Sequence, residues 1–307
     1  MQFRPFVLTA FVLFCAVTSF AEQTGPKRRV IAGDYSGDKK RLALVDADGK
    51  IIWQHKIGDI HDVHYLDNGH LLFQTSWTRI VEADKEGKII WEYDAGKANG
   101  NAGKKIEVHA FQRLKDGSTM IAESGSGRII EVDKDGKLLK EVKLKLVKPN
   151  PHRDTRNVRK LETPGGGTYL VAQEGEGFVR EYDGEGKVVW EYETKTQVYS
   201  AIRLANGNTL IGMGGGNSVV EVDKAGKVVW QVGKKDIQGC DLAWVTQVAR
   251  LENGNTIIVN CHAGPNNPQI VEITPEKKIV WSFKDFTNFG NAMPVAQVLD
   301  IEGKIVR

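Results

Sequence analysis

Histidine and arginine gather at recurring places in this chain of 307 residues: His61, Asp62 and His64, then His109, then His152, Arg153, Arg156 and Asn157, then Tyr199, Gln247 and His262. Imidazole and guanidinium groups donate to oxyanions, so together they point to an anionic or aromatic ligand. An imidazole can also act as a nucleophile in group transfer while guanidinium groups steady the transferred oxyanion. His61, His109, Arg153 and Arg156 are the imidazoles and guanidiniums on which such chemistry would rest. Asp62, Asn157, Tyr199, Gln247 and His262 are expected to contact the ligand, and Trp77 and Trp244 to wall it. Imidazoles converging with Asp62 would suit a transition metal. His61 and His64 are three residues apart, however, and such residues on a regular strand face opposite sides, so no metal is expected. No nucleophile elbow, phosphate-binding glycine loop or paired-cysteine zinc arrangement is present.

These residues fall within a repeat. Glu221-Val222-Asp223-Lys224-Ala225-Gly226-Lys227-Val228-Val229-Trp230 is an apolar alternation, a tight turn and a second alternation ending in tryptophan. Copies end at Trp53, Trp91 and Trp190; two degenerate copies carry Lys140 in place of the tryptophan and Thr274-Pro275-Glu276-Lys277 in place of the turn. A period of roughly 45 residues is that of a propeller, in which each repeat is one small antiparallel sheet. Upstream of each copy lies another strand pair, joined at Asn68-Gly69, Asp116-Gly117, Asn206-Gly207 and Asn253-Gly254, which reads as a type I′ hairpin. Each repeat is thus four strands, A to D.

The expected fold is an all-β, six-bladed propeller of four-stranded antiparallel blades. Val30 opens at a strand B with no strand A before it, and Val295–Ile301 matches Val245–Leu251, so the C-terminal strand is expected to join the N-terminal blade and close the ring. The remaining blades are expected at 59–96, 106–146, 154–195, 197–235 and 243–286. Connections from strand D to the next strand A, and from B to C, should share one face of the disc. His61, His109, Arg156, Tyr199, Thr246 and Ala296 form one column near that face; Asp62, Ala110, Asn157, Ser200, Gln247 and Gln297 form the next.

The Asp-x-x-Gly-Lys-hydrophobic-hydrophobic-Trp repeat resembles the blade signature of PQQ-like (quinoprotein-like) propellers across nearly the whole mature chain. That resemblance implies PQQ as the cofactor to test, although many such propellers bind no quinone and some are assembly scaffolds. The stretch His61-Asp62-Val63-His64-Tyr65-Leu66-Asp67-Asn68-Gly69-His70 is similar to a strand of bacterial arylsulfotransferase propellers. That family moves sulfuryl groups between phenols through an inward-facing histidine, and the resemblance would make His61 or His109 the catalytic nucleophile, with Arg153 and Arg156 steadying the sulfate oxygens; this chain departs from it in lacking a large N-terminal extension.

Arg4, the apolar run Phe6–Val17 and Ser19-Phe20-Ala21 read as a secretory leader, residues 1–21, followed by one domain, 22–307, in the periplasm or outside the cell. The run is shorter than the ~20 residues that span a bilayer, so the mature chain should hold no transmembrane segment. Lys and Arg number 42 against 39 Asp and Glu, a balance that gives no electrostatic case for nucleic acid. A small molecule or a protein partner on the loop-rich face of a monomer is expected instead. Cys240 and Cys261 lie at one end of adjacent strands and are expected to form a disulfide in an oxidising compartment.

Overall fold

A computed structural model describes residues 21–163 and 166–307; the expected leader lies outside the described residues except for Ala21. Six antiparallel sheets make the expected propeller. Blade I is closed as expected: strand A, Val295–Val298, pairs with strand B, Val30–Asp34, in the register Val30 to Val298, and strands Arg41–Val45 and Ile51–Lys56 follow outward. Blades II to V run from strand A at Val63–Tyr65, Glu107–Arg113, Asn157–Leu161 and Ser200–Arg203 to strand D at Ile89–Asp94, Leu138–Lys143, Val188–Glu193 and Val228–Val232. Blade VI, from Trp244–Leu251 to Ile279–Lys284, gains two strands the repeat does not contain: Glu22–Thr24 along its outer edge and Ile305–Val306 along its inner one.

Strands B and C are largely buried on both faces because each blade is sandwiched between two others, whereas the outermost strands alternate, and the core falls into six clusters, one at each blade interface. The A–B turns are not type I′. At Leu66–His70 the Gly69 N–H donates to the Leu66 carbonyl at 2.8 Å, and Gly69 alone has a positive φ, of 82°. Asn68 is absent from the left-handed region that type I′ demands, so this is a type I turn followed by a glycine bulge. The C–D turns share that backbone: Asp223 Oδ1 accepts from the Ala225 and Lys227 N–H groups at 2.9 Å each, and Gly226 has φ 81°.

The repeat tryptophans join blades. Trp91 and Trp190 donate from Nε1 to the Lys134 and Lys224 carbonyls of the next C–D turn, at 2.9 and 3.0 Å. Arg113 and Arg203 lie over these indoles, 4.6 and 4.7 Å from the ring centroids, and pair with Glu82 and Glu181. In the degenerate blade III, Lys140 instead lies 5.7 Å over Tyr169 of blade IV, so cation and aromatic have exchanged blades and the contact survives.

Candidate functional site

The innermost strands start irregularly, and the first polar column sits on those irregularities. His109 occupies a bulge, since Ala122 pairs with Ala110 and Glu123 with Val108; Thr246 occupies another, between Val245 and Gln247. His61 precedes its strand, where its N–H donates to Gln74 Oε1 at 2.9 Å rather than to a ladder carbonyl. Bulges re-aim side chains, and here they turn the column toward the loop-rich end of the channel.

That end is a pocket of about 400 Å³ whose lining includes His61, Trp77, His152, Arg153, Arg156, Tyr199, Trp244 and His262, with Tyr35, Asp59, Glu174, Thr246 and Cys261. His109 lies beneath it, its ring centroid 4.6 Å from that of His61. Trp77, from the B–C loop of blade II, stacks on His61 with centroids 5.1 Å apart and planes 27° from parallel. Trp244 meets Tyr199 edge-on, fitting against Gly215, where a Cβ would come within 3.1 Å of the indole. The Tyr199 hydroxyl and His61 Nδ1 share a hydrogen bond of 2.6 Å, and Arg156 lies 5.2 Å over the Tyr199 ring.

Charge is asymmetric here. Arg156 Nε donates to Glu174 Oε2, Arg153 Nε stands 3.5 Å from Glu174 Oε1, and Arg156 Nη1 is buried without a partner. Burial, with His109 and Arg156 adding to it, pushes the His61 imidazole well below its ordinary value. Burial likewise pushes His109 down to about 4, against the opposing pull of Glu107. Burial would raise the Glu107 carboxyl, but the His109 and His152 rings beside it hold it down at about 2. Around neutral pH the pocket therefore presents a neutral His61 imidazole and, in Arg156, a guanidinium with one free edge.

Three expected ligand contacts stand elsewhere. Asp62 is fully buried against Arg159, Asn157 hydrogen-bonds the Ala201 backbone, and Gln247 Oε1 accepts from the Ala296 N–H at 3.0 Å. His64, three residues from His61, packs edge-on to Phe111 between blades. The expected disulfide is replaced by two buried free thiols. Asn260 and Cys261 are consecutive in a strand and face opposite sides. Asn260 Nδ2 donates to Cys240 Sγ at 3.5 Å, so Cys261 points away from Cys240, into the pocket. Unfolding a chain that begins at Glu22 without reductant should expose two thiols to Ellman's reagent; none would restore the disulfide.

Sequence reading missed the carboxylates Asp59, Glu107 and Glu174. It also missed a buried polar residue at or next to the end of strand B in blade after blade: Asp34, Gln74, Gln173 and Asn260. These hold the loops that shape the pocket, as when Asp34 accepts from Ser36 and Gly290 N–H groups at 2.7 and 2.9 Å.

A protein of unknown function from Bacteroides caccae has a similar solved structure, with a TM-score of 0.76 and 24% identity over 90% of this chain and 100% of that one. Catalytically inactive virginiamycin B lyase from Staphylococcus aureus, solved with quinupristin, is more distant, with a TM-score of 0.56 and 12% identity over 86% of this chain and 88% of that one. At these identities the likeness is one of fold. No curated protein matches. The family model described as outer membrane protein assembly factor BamB matches residues 24–156 and 160–276. The repeats, the closed ring and this match together place the chain in that family of PQQ-like propellers.

Proposed function

We propose that this chain is an exported propeller that holds a small aromatic anion in the pocket between Trp77 and Trp244. One observation carries the reading: Arg156 lines the pocket with Nη1 buried and unpartnered, beside a His61 whose Nε2 is also buried and unpartnered. An unmet buried donor costs about 1–3 kcal/mol, more when charged, and a site bearing one calls for a group that meets it. Two indoles lining the same pocket suit a flat ring bearing a carboxylate, phosphate or sulfate. The family match and the leader-like residues 1–21 support export. PQQ, a planar tricarboxylate, belongs to the same ligand class: Arg153 and Arg156 would take its carboxylates and Trp77 and Trp244 would flank its rings. Bound, it would supply two-electron redox chemistry.

Sulfuryl transfer is a second reading, favoured by the unpartnered His61 Nε2, the atom that would attack in the tautomer whose proton is on Nδ1. One titration series addresses both. Tryptophan fluorescence is followed with phenyl phosphate, p-nitrophenyl sulfate, PQQ and, as the neutral control, phenol. We expect quenching by at least one anion, with phenol bound at least about tenfold more weakly. Equal binding of phenol, or no binding of any anion, overturns the ligand reading; nitrophenol release that vanishes in His61→Ala adds transfer to it.

A further inference from the structure

Beneath the aromatic pocket, Glu107 and His109 lie on the bulged first strand of blade III, and His152 comes from the loop leading to blade IV. One carboxylate oxygen, Glu107 Oε2, stands 3.3 Å from His109 Nε2 and 2.6 Å from His152 Nδ1, and the three ligand atoms lie within 4.8 Å of one another. The tautomer of His109 is fixed by its other nitrogen: Nδ1 is 2.6 Å from the Thr155 carbonyl oxygen, which only accepts, so Nδ1 carries the proton. That leaves Nε2, fully buried and without a hydrogen-bond partner, to face the Glu107 carboxylate. Two acceptors oppose each other across a gap that a cation would satisfy.

The same arrangement is what a metal-ligating histidine requires, one nitrogen held by a backbone carbonyl and the other free to ligate. A second observation points to the same spot. His61 Nε2 is also buried and unpartnered, on a ring 4.6 Å from that of His109. We propose that Glu107, His109 and His152 bind one divalent transition metal, with an open position toward the pocket beside His61. Two imidazoles and a carboxylate form a set that suits zinc. Tetrahedral bonds of about 2.1 Å separate neighbouring ligand atoms by about 3.4 Å, close to the His109–Glu107 spacing. His152 has to draw back from its hydrogen-bond distance, which its place on a loop with a 42% exposed side chain allows. The site does not depend on the aromatic-anion reading, although an anion bound at Arg156 would lie next to the metal's open position.

The test uses the full mature chain, stripped with chelator and dialysed. Cobalt(II) is added as a spectroscopic probe and zinc is titrated by calorimetry. The proposal expects one equivalent per chain with the visible spectrum of tetrahedral or five-coordinate cobalt. His152→Ala, whose side chain is the most exposed of the three, should weaken zinc binding by roughly 100-fold or more, and Glu107→Gln likewise. His55→Ala, at a half-buried histidine on the outer strand of blade I, should bind as the parent does. Circular dichroism and melting in chelator separate loss of the site from loss of the fold. Binding that is unchanged in His152→Ala, or lost equally in His55→Ala, overturns the proposal, as does the absence of a stoichiometric equivalent. Phenyl phosphate binding to the stripped protein is read separately, so either result can fail alone.

Discussion

Asp62→Asn should lower the unfolding free energy by about 3–5 kcal/mol at neutral pH, the cost of leaving a buried ion pair with one partner. Asp62 is fully buried and accepts from Arg159 Nη1 and Nη2 at 2.8 and 3.1 Å. It also accepts from the Phe111 N–H at 3.4 Å, so one carboxylate of blade II ties down blades III and IV. His64 Nε2 lies 3.3 Å from it, and Arg307 reaches the neighbouring Val63 carbonyl. Asparagine keeps the shape but leaves Arg159 without its anion. Burial by itself would raise the carboxyl, but Arg159, then His64, hold it well below the usual carboxylate range. A group depressed in the folded state contributes stability that is fully present above its unfolded pKa, near 4, and is lost as pH falls through the folded value. Parent and variant should therefore differ most above about pH 5 and converge toward pH 2. Denaturant unfolding at several pH values checks both claims; a neutral-pH difference below about 1 kcal/mol, or one that does not narrow with acid, would contradict them.

Asp62 also shows where sequence reading stopped. The repeat made the blades, their turns and the closing strand legible, because a tryptophan, a turn aspartate and a left-handed glycine recur at fixed offsets. It also placed His61, Arg156 and Tyr199 at one level of the channel. What it could not show was which way the next polar column faces. Asp62, Asn157 and Gln247 follow the site residues by one position, and one position on a strand reverses the side chain. Gln297 Oε1 accepts from the Tyr65 N–H at 2.7 Å, so in blade I too this column holds the innermost strand of a neighbour. The bulges at His109 and Thr246 leave no mark on hydrophobic periodicity, because an extra residue shows only against its partner strand. The residues at or next to the end of strand B were visible, since Gln74, Gln173 and Asn260 each close an apolar run, yet their purpose depends on loops from other blades. Glu107 and Glu174 were illegible for the same reason: each gains meaning only from a cation that the fold brings from elsewhere.

Arg156→Ala should weaken binding of the aromatic anion by about 10- to 150-fold, the range expected for losing a hydrogen bond to a charged group. The guanidinium is only 5% exposed, so little water screens it, and Glu174 occupies its Nε edge while Nη1 remains free for a ligand. Arg156→Lys discriminates charge from geometry. Lysine keeps the positive charge but offers a point rather than a planar fork, and it cannot hold Glu174 along one edge while meeting a ligand along another. Binding by Arg156→Lys should fall between parent and Arg156→Ala; full recovery would mean that charge alone is recognised. Alanine also leaves the Glu174 carboxylate buried, with Arg153 at 3.5 Å as its remaining cation and the Gln197 amide donating at 3.1 Å, so the single variant loses stability as well. Pairing it with Glu174→Gln removes that stranded charge while leaving the anion's donor absent. If the pocket works as proposed, the double variant melts closer to the parent than Arg156→Ala does, yet binds the anion no better. Recovery of binding along with stability would mean that Arg156 holds the wall of the pocket together and that some other group meets the ligand.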